Sequence, residues 1–269
     1  MPLSHRICAR ALALAWMLLV MPPVNAAQAP SVFVDELTSP ELAARVHAGA
    51  TTILVPIGGT EQSGAHMALG KHNARARALA QRIAIALGNA LVAPVVAYVP
   101  EGRVDPPTAH MRYPGTIAIS DSAFEQVLDG AARSFRRHGF RDIVFLGDHG
   151  GYRKDEQVVA ARLNREWASD ATRVHALPEY YRATSSGFAR LLRARGYSDA
   201  EIGTHAGLAD TALTMALDPA SVRDGALAHA ASVPGVQGDP ARATAALGEM
   251  GVDLIVNESV AAIRAATRR

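Results

Sequence analysis

The chain has 269 residues, of which 49% are hydrophobic, so it can bury the core of one α/β domain or of two small ones, and one domain is the simpler prediction. Its formal net charge is only +2 and no run of lysine or arginine stands out, which argues against a nucleic-acid partner. Aromatic residues make up only 5% of the chain, which favours close-packed helices over an aromatic-lined barrel.

The first 29 residues have the pattern of a secretory signal peptide. Two arginines precede an apolar run from Ala11 to Met21, and small residues suited to cleavage follow near Ala26 or Ala29. The run is shorter than the roughly 20 residues that span a bilayer, although an uncleaved membrane anchor is the alternative interpretation. The pattern predicts an exported protein, periplasmic or secreted, that has no permanent membrane anchor after cleavage.

Residues 30–269 are predicted to form a single domain. Cys8 is the only cysteine and lies before the apolar run. Because cleavage would remove it, the mature chain would have neither a disulfide nor a thiol nucleophile.

Strand-like and helix-like runs alternate beyond residue 30, which is the pattern of a β/α sheet. The predicted strands are Thr51–Ile57, Leu91–Val99, Asp142–Leu146 and Arg173–Ala176. The predicted helices are Ala74–Leu87, Ser120–His138, Asp155–Trp167, Ala209–Leu217 and Ala241–Ile263. The pattern predicts the α/β class: a three-layer α/β/α sandwich with a mostly parallel central sheet. In such a sheet, ligands bind at the carboxyl ends of the strands.

A glycine-rich polar segment, residues 58–73, follows the first predicted strand directly. It holds Glu61, His66 and His72 within twelve residues. Carboxylate oxygen and imidazole nitrogen are the ligand types that suit zinc, manganese or iron, so the segment is a candidate metal loop. A solvated surface loop is the alternative interpretation.

Three more polar clusters occur further along the chain. Asp148 and His149 stand between glycines at the exit of a predicted buried strand, where an ordinary turn would not require the histidine. His205 and Asp210 precede and begin a predicted helix, and could also be a loop residue and a helix-initial acid. His110 opens an extended stretch that ends in a Pro-Gly turn.

Taken in order, these segments resemble the creatininase family of metal-dependent amidohydrolases. The segments that carry the resemblance are Gly58–His72 (family pattern G-S-x-E-Q-H-G-P-H-L-P-L-x-T-D), His110–Thr116 (H-x-x-x-P-G-T), Gly147–Tyr152 (N-G-H-G-G-N) and His205–Thr211 (H-A-G-x-x-E-T). The resemblance covers nearly the whole mature chain. It implies a creatininase-like α/β/α fold, assembly into a homo-oligomer such as a hexamer, and hydrolysis of small-molecule substrates at cyclic amide, N-formyl or related C–N bonds.

The resemblance also implies a ligand set. Glu61 and His149 match ligands of the family's first metal, and His72 takes the position of the aspartate that bridges two metals. Ser63 and Gly151 stand where ligands of the second metal are expected, and an imidazole cannot readily bridge two ions because it offers one lone pair. We therefore predict one divalent metal per chain, zinc in the first place with manganese or iron as alternatives, held by Glu61, His72 and His149.

The expected reaction is hydrolysis by a water molecule that the metal activates. The residues predicted to manage the proton of the leaving nitrogen are His205, Asp210 and Asp148. The residues predicted to face the substrate or to support the metal ligands are His66, His110, Ser63 and Tyr152.

Two alternatives to this enzyme share parts of the pattern. The altered second metal site also fits a non-catalytic periplasmic relative that binds a metal or ligand without turnover. Two histidines and a carboxylate are also the ligands of non-haem iron oxygenases, but those sites normally lie in a β-barrel. Creatinine itself is a weak substrate prediction, because ligands of creatininase's second metal are missing.

Overall fold

A four-stranded sheet lies at the centre of the structure, a computed structural model that describes residues 31–268. Its strands are β1 (Thr52–Ile57), β2 (Ala90–Val92), β3 (Asp142–Gly147) and β4 (Arg173–Ala176). They run in the order β2-β1-β3-β4, and every neighbouring pair is parallel. The predicted parallel sheet is confirmed, whereas the predicted signal peptide lies outside the described residues.

Helices connect and cover the strands. The α-helices within residues 31–268 are α1 (Ser39–His47), α2 (Lys71–Leu87), α3 (Asp121–Arg137), α4 (Arg153–Glu166), α5 (Pro178–Arg182), α6 (Phe188–Arg193), α7 (Asp199–Ile202), α8 (Leu208–Leu217) and α9 (Ala245–Ala266). A π-helical turn, Ala183–Gly187, joins α5 to α6. Within this described part of the chain, no helix combines the length and apolar character needed to cross a membrane.

The core is divided by the sheet into two apolar layers. Side chains alternate along a strand, so Leu54 of β1 packs on one face with Leu79 of α2 and Ile255 of α9. Its neighbour Val55 packs on the other face with Phe124 of α3 and other apolar side chains of α3 and α4. Helices therefore cover both faces, and the predicted three-layer α/β/α sandwich is confirmed.

Several element boundaries differ from the predicted ones. The second strand ends at Val92 rather than Val99, because Pro94 interrupts the ladder; beyond it Val96 forms only an isolated bridge with Ile57. Helix α1 was not predicted, although Thr38 and Glu41 form a capping box at its start. Helix α2 begins three residues earlier than predicted, which places residues 71 and 72 on a helix instead of in a loop.

Candidate metal centre

The polar clusters meet at the carboxyl ends of β1 and β3, the two central strands. The chain connects β1 to β2 on one side and β3 to β4 on the other, so this edge is the topological switch point at which open α/β sheets bind ligands. Glycines at the end of β1 allow the backbone there to pack closely against the Asn73 side chain at the start of α2. The Gly59 N–H donates to Asn73 Oδ1 at 3.0 Å, and a Cβ on Gly58 would lie 2.2 Å from that oxygen.

Glu61 is the centre of this site. Its side chain has no exposed surface, and its Oε1 accepts hydrogen bonds from Lys71 Nζ at 3.2 Å and His72 Nε2 at 2.7 Å. Its Oε2 is buried and has no hydrogen-bond partner among the described residues. Burial raises the pKa of Glu61, but the charges of Lys71 and His72 and the His72 hydrogen bond outweigh it and hold that pKa well below its ordinary value. Glu61 is therefore an ionised carboxylate with one oxygen free for a ligand.

Two histidines face the free oxygen. His110 Nε2 lies 3.5 Å and His149 Nε2 lies 3.9 Å from Glu61 Oε2. One donor atom from each of these three residues lies within 4.8 Å of the other two, the arrangement that could hold a metal ion. Burial lowers the pKa of His149 to about 4, so its imidazole is neutral at pH 7 and has a lone pair to give.

These donors fit a transition-metal ion on the evidence of their own surroundings. An ionised buried oxygen without a partner is costly unless a cation or a donor completes it, and Glu61 Oε2 has neither in the described chain. Two imidazoles and one carboxylate are the donor set of catalytic zinc sites and also suit manganese and iron.

His72, which is predicted to be a metal ligand, contacts two carboxylates. Its Nε2 lies 2.7 Å from Glu61 Oε1 and its Nδ1 lies 2.6 Å from Asp148 Oδ2. Burial lowers the pKa of His72, but the two carboxylate hydrogen bonds prevail and raise it overall. A charged imidazole that donates from both nitrogens has no lone pair for a metal. The cluster of three possible metal ligands therefore contains His110 and not His72. That His72 binds the metal stays a prediction, and it would require His72 to lose its hydrogen bonds to Glu61 and Asp148.

Asp148 and Asp210, predicted as proton carriers, are held by a buried arginine. Arg75 donates to Asp148 Oδ2 from Nε at 3.0 Å and from a terminal nitrogen at 2.7 Å, and to Asp210 Oδ1 at 2.6 Å. Tyr180 donates a further hydrogen bond to Asp148. Burial raises the pKa of each carboxyl, but the neighbouring cations outweigh it and lower both overall. Both groups are saturated acceptors and poor proton donors at neutral pH.

His205, the third predicted proton carrier, lies beside the metal cluster. Its Nδ1 is 3.6 Å from Glu61 Oε1, its Nε2 is 2.9 Å from the Gln62 carbonyl oxygen, and its ring is 4.2 Å from the ring of His110. Burial lowers the pKa of His205 to about 4, so its imidazole is neutral at pH 7. The adjoining Ala206 has a left-handed φ of +55°, a strained conformation for alanine that is common at functional sites.

The remaining predicted residues lie behind the donors. Ser63 is buried and its hydroxyl has no partner among the described residues. His66 is buried and contacts the Thr211 hydroxyl at 3.1 Å. The Tyr152 hydroxyl accepts from the His149 N–H at 3.0 Å and lies 2.9 and 2.8 Å from the carbonyl oxygens of residues 57 and 58. Tyr152 thus ties the loop after β3 to the end of β1 and supports the ligand without facing the cavity.

Glu101 is a site residue that the sequence analysis missed. It follows β2, is only 3% exposed, and neither of its carboxyl oxygens has a hydrogen-bond partner in residues 31–268. Its Oε2 lies 3.7 Å from His149 Nδ1. Burial and the charge of Glu61 raise the pKa of Glu101 to about 8. The Gly151 N–H donates to the same nitrogen at 3.2 Å, so Nδ1 is an acceptor here and Glu101 lies beside the His149 ring without a hydrogen bond to it.

A cavity of about 580 Å³ opens over the cluster. The site residues that line it are His72, Arg75, His110, Asp148, His149, His205 and Asp210. Beyond them the wall continues along Tyr181 and the hydroxyl-rich π turn to Arg193. This volume lies within the range typical of small-molecule sites.

Comparison with known proteins identifies the family. The model of the family Creatininase (creatinine amidohydrolase) matches residues 35–263. The chain belongs to the creatininase family. Creatinine amidohydrolase of Pseudomonas putida is 33% identical over 119 residues, 44% of this chain and 45% of that enzyme. The mycofactocin precursor peptide peptidase of Mycolicibacterium smegmatis is 30% identical over 230 residues, 76% of this chain and 81% of that enzyme.

Solved structures of creatininase share the fold. Creatininase in an Mn form has a TM-score of 0.72 and 25% sequence identity, covering 89% of this chain and 100% of that one. A Zn-Zn type of a creatininase variant has a TM-score of 0.71 at 24% identity, covering 90% and 100% of the two chains. The creatininase-like architecture predicted from the motifs is thereby confirmed.

A second buried carboxyl, Glu156 in the first turn of α4, predicts a pH-dependent stability. It packs under the end of β3, its Oε1 has no partner among the described residues, and burial raises its pKa from 4.5 to about 8. The folded protein keeps a proton there that the unfolded chain releases above pH 4.5. The free energy of unfolding that this group contributes is therefore fully present below pH 4.5 and is lost as the pH rises to 8.

We expect Glu156→Gln to stabilise the protein at pH 8 by on the order of 4 kcal/mol, and to have little effect at pH 4.5, because one pKa unit corresponds to about 1.4 kcal/mol. Urea unfolding of both metal-stripped proteins at the two pH values measures this. A difference that does not grow with pH would contradict the buried neutral carboxyl.

Proposed function

We propose that this protein is a metal-dependent hydrolase that cleaves a C–N bond of the amide, cyclic amide or formamide type, with one divalent metal per chain. The observation that carries the proposal is the unpartnered Glu61 Oε2 in a creatininase-family fold. This oxygen faces His110 and His149, which both line the cavity. Zinc is the first choice of metal, with manganese and iron as alternatives. When bound, such an ion lowers the pKa of water and polarises the carbonyl of a substrate.

The residues of the site would have three roles: metal binding, fixed negative charge and proton transfer. Glu61, His110 and His149 would hold the metal, and the hydrogen bond from the Gly151 N–H to Nδ1 orients the ring of His149. Arg75 and His72 keep the neighbouring carboxylates ionised and immobile, so these provide a fixed negative field rather than protons. His205 is the neutral base beside the metal cluster that can take a proton from water and return it to the leaving nitrogen.

The test of this role is the substitution His205→Gln. We expect kcat to fall by about 100-fold or more while the metal content stays unchanged, since general acid–base groups contribute about 10² to 10⁴. Exposed His229→Gln is the matched control and should keep the wild-type rate. A fully metal-loaded His205→Gln protein with the wild-type kcat would remove His205 from the reaction.

The relatives set the range of substrates to assay. One is named for creatinine and another for a precursor peptide, and both are names of C–N hydrolases. The experiment is a panel of cyclic amides, ureides, formamides and small peptides, assayed before and after chelation and after return of zinc or manganese. Hydrolysis that follows the metal supports the enzyme, whereas tight metal binding without any turnover would favour the non-catalytic binding protein.

Two further parts of the proposal rest on the sequence. The pattern of residues 1–29 supports export to the periplasm or the medium, and the family resemblance supports a homo-oligomer such as a hexamer. Edman sequencing of the mature protein and light scattering test these two points separately.

A further inference from the structure

Lys71 is a buried lysine in a chain that almost never uses lysine. Only two of the 27 basic residues are lysines, Lys71 and Lys154. Lys154 is exposed on α4, whereas the Lys71 side chain has no exposed surface. Lysine heads are rarely buried unless they are paired, so a specific environment must hold this one.

Two carboxylates provide that environment. Lys71 Nζ lies 3.2 Å from Glu61 Oε1 and 3.3 Å from Asp210 Oδ2. The same Glu61 oxygen receives His72 Nε2 at 2.7 Å. The ammonium therefore lies between two carboxylate oxygens, and carboxylate oxygen is also a ligand type of divalent metal ions.

Neither helix stability nor substrate contact explains the position of Lys71. It is the first residue of α2, whose first turn contains no acidic residue, and the positive end of the helix dipole disfavours a cation there. Lys71 is also not among the residues that line the cavity. What remains is its place next to the metal cluster, on the opposite oxygen of the same Glu61 carboxylate.

We infer that the Lys71 ammonium replaces a second metal ion: Glu61 gives Oε2 to the metal and Oε1 to Lys71, and the centre is thereby limited to one ion. A compact ammonium suits this position between two carboxylates. The larger, planar guanidinium of arginine favours contacts through several N–H groups, such as those that Arg75 makes. This inference rests on the proposed metal site, and it makes Lys71 a positioning residue that never touches the substrate.

The test is the zinc content of Lys71→Thr, which removes the charge and leaves space between Glu61 and Asp210. Each protein is loaded with excess zinc, desalted and measured by mass spectrometry. We expect one zinc per chain in the wild type and in the exposed control Lys154→Thr, and two in Lys71→Thr. Lys71→Met, whose apolar chain fills the space, should stay at one.

Thermal unfolding gives a second readout that does not depend on activity. Added zinc should raise the melting temperature of Lys71→Thr by more than that of the wild type, because the ion also replaces a lost cation. One zinc in Lys71→Thr with no extra stabilisation, or failure of that variant to fold even with zinc, would overturn the inference and leave the proposed function intact. Two zinc ions per chain in the wild type would also overturn the inference. A wild-type protein that binds no zinc would overturn the proposed function itself.

Discussion

Replacement of Glu61 by glutamine is expected to abolish metal binding and hydrolysis. The carboxylate is the buried anion that faces the two histidines of the cluster, and its other oxygen accepts from Lys71 and His72. The amide of glutamine has no charge to attract the metal. Its NH₂ group would also face either the Lys71 and His72 donors or the metal, and it can accept from neither. Since the loss of an outer partner alone costs about 10- to 100-fold in metal affinity, we expect a loss of more than about 100-fold.

Metal competition with a chromophoric chelator measures this loss, and circular dichroism reports whether the fold survives. Glu36→Gln is the matched control, because Glu36 is exposed and pairs with Arg77, so its replacement should leave metal affinity unchanged. A folded Glu61→Gln protein that binds zinc as tightly as the wild type would exclude Glu61 from the metal site.

Arg75→Met is expected to cause the largest loss of stability. The Arg75 side chain is only 1% exposed and is hydrogen-bonded to both Asp148 and Asp210. Removal of one partner from a buried ion network leaves uncompensated charge and typically costs about 3–5 kcal/mol. We therefore expect the free energy of unfolding to fall by about this amount at pH 7, measured by urea denaturation.

Arg82→Met is the matched control on the same helix. Arg82 pairs with Glu249, but both side chains are more than 40% exposed, so the loss should be below about 1 kcal/mol. Equal losses in the two variants would show that Arg75 contributes no more than a surface arginine. That result would contradict the rigid charge network on which the site geometry depends.

The layers of the fold could be predicted because the two central strands are short and mostly apolar. Thr52–Ile57 and Asp142–Gly147 are buried along their entire length, so local composition alone revealed them as central strands. The capping box at Thr38 was also readable, and α1 could have been predicted from it. The strand after α2 was predicted too long because its apolar character continues past Pro94, whereas the continuous ladder ends before it and only the isolated bridge of Val96 with β1 follows.

The parts of the site that depend on contacts distant in sequence could not be read in the same way. Glu61 and His149 follow strands directly, and their position at the sheet edge was predictable. His110 comes from a short 3-10 turn, and nothing local shows that its ring packs on His205. Lys71 and Glu101 look like surface charges, because only the fold brings the buried carboxylates and the His149 ring to them.

The central claim is a metal held by Glu61, His110 and His149, and the metal content of His110→Ala tests it most directly. His110 distinguishes this set from one that contains His72, whose two ring nitrogens already contact carboxylates. After zinc loading and desalting, we predict one zinc per chain in the wild type and in the exposed control His138→Ala, and almost none in His110→Ala. A His110→Ala protein that retains one tightly bound zinc would contradict the account.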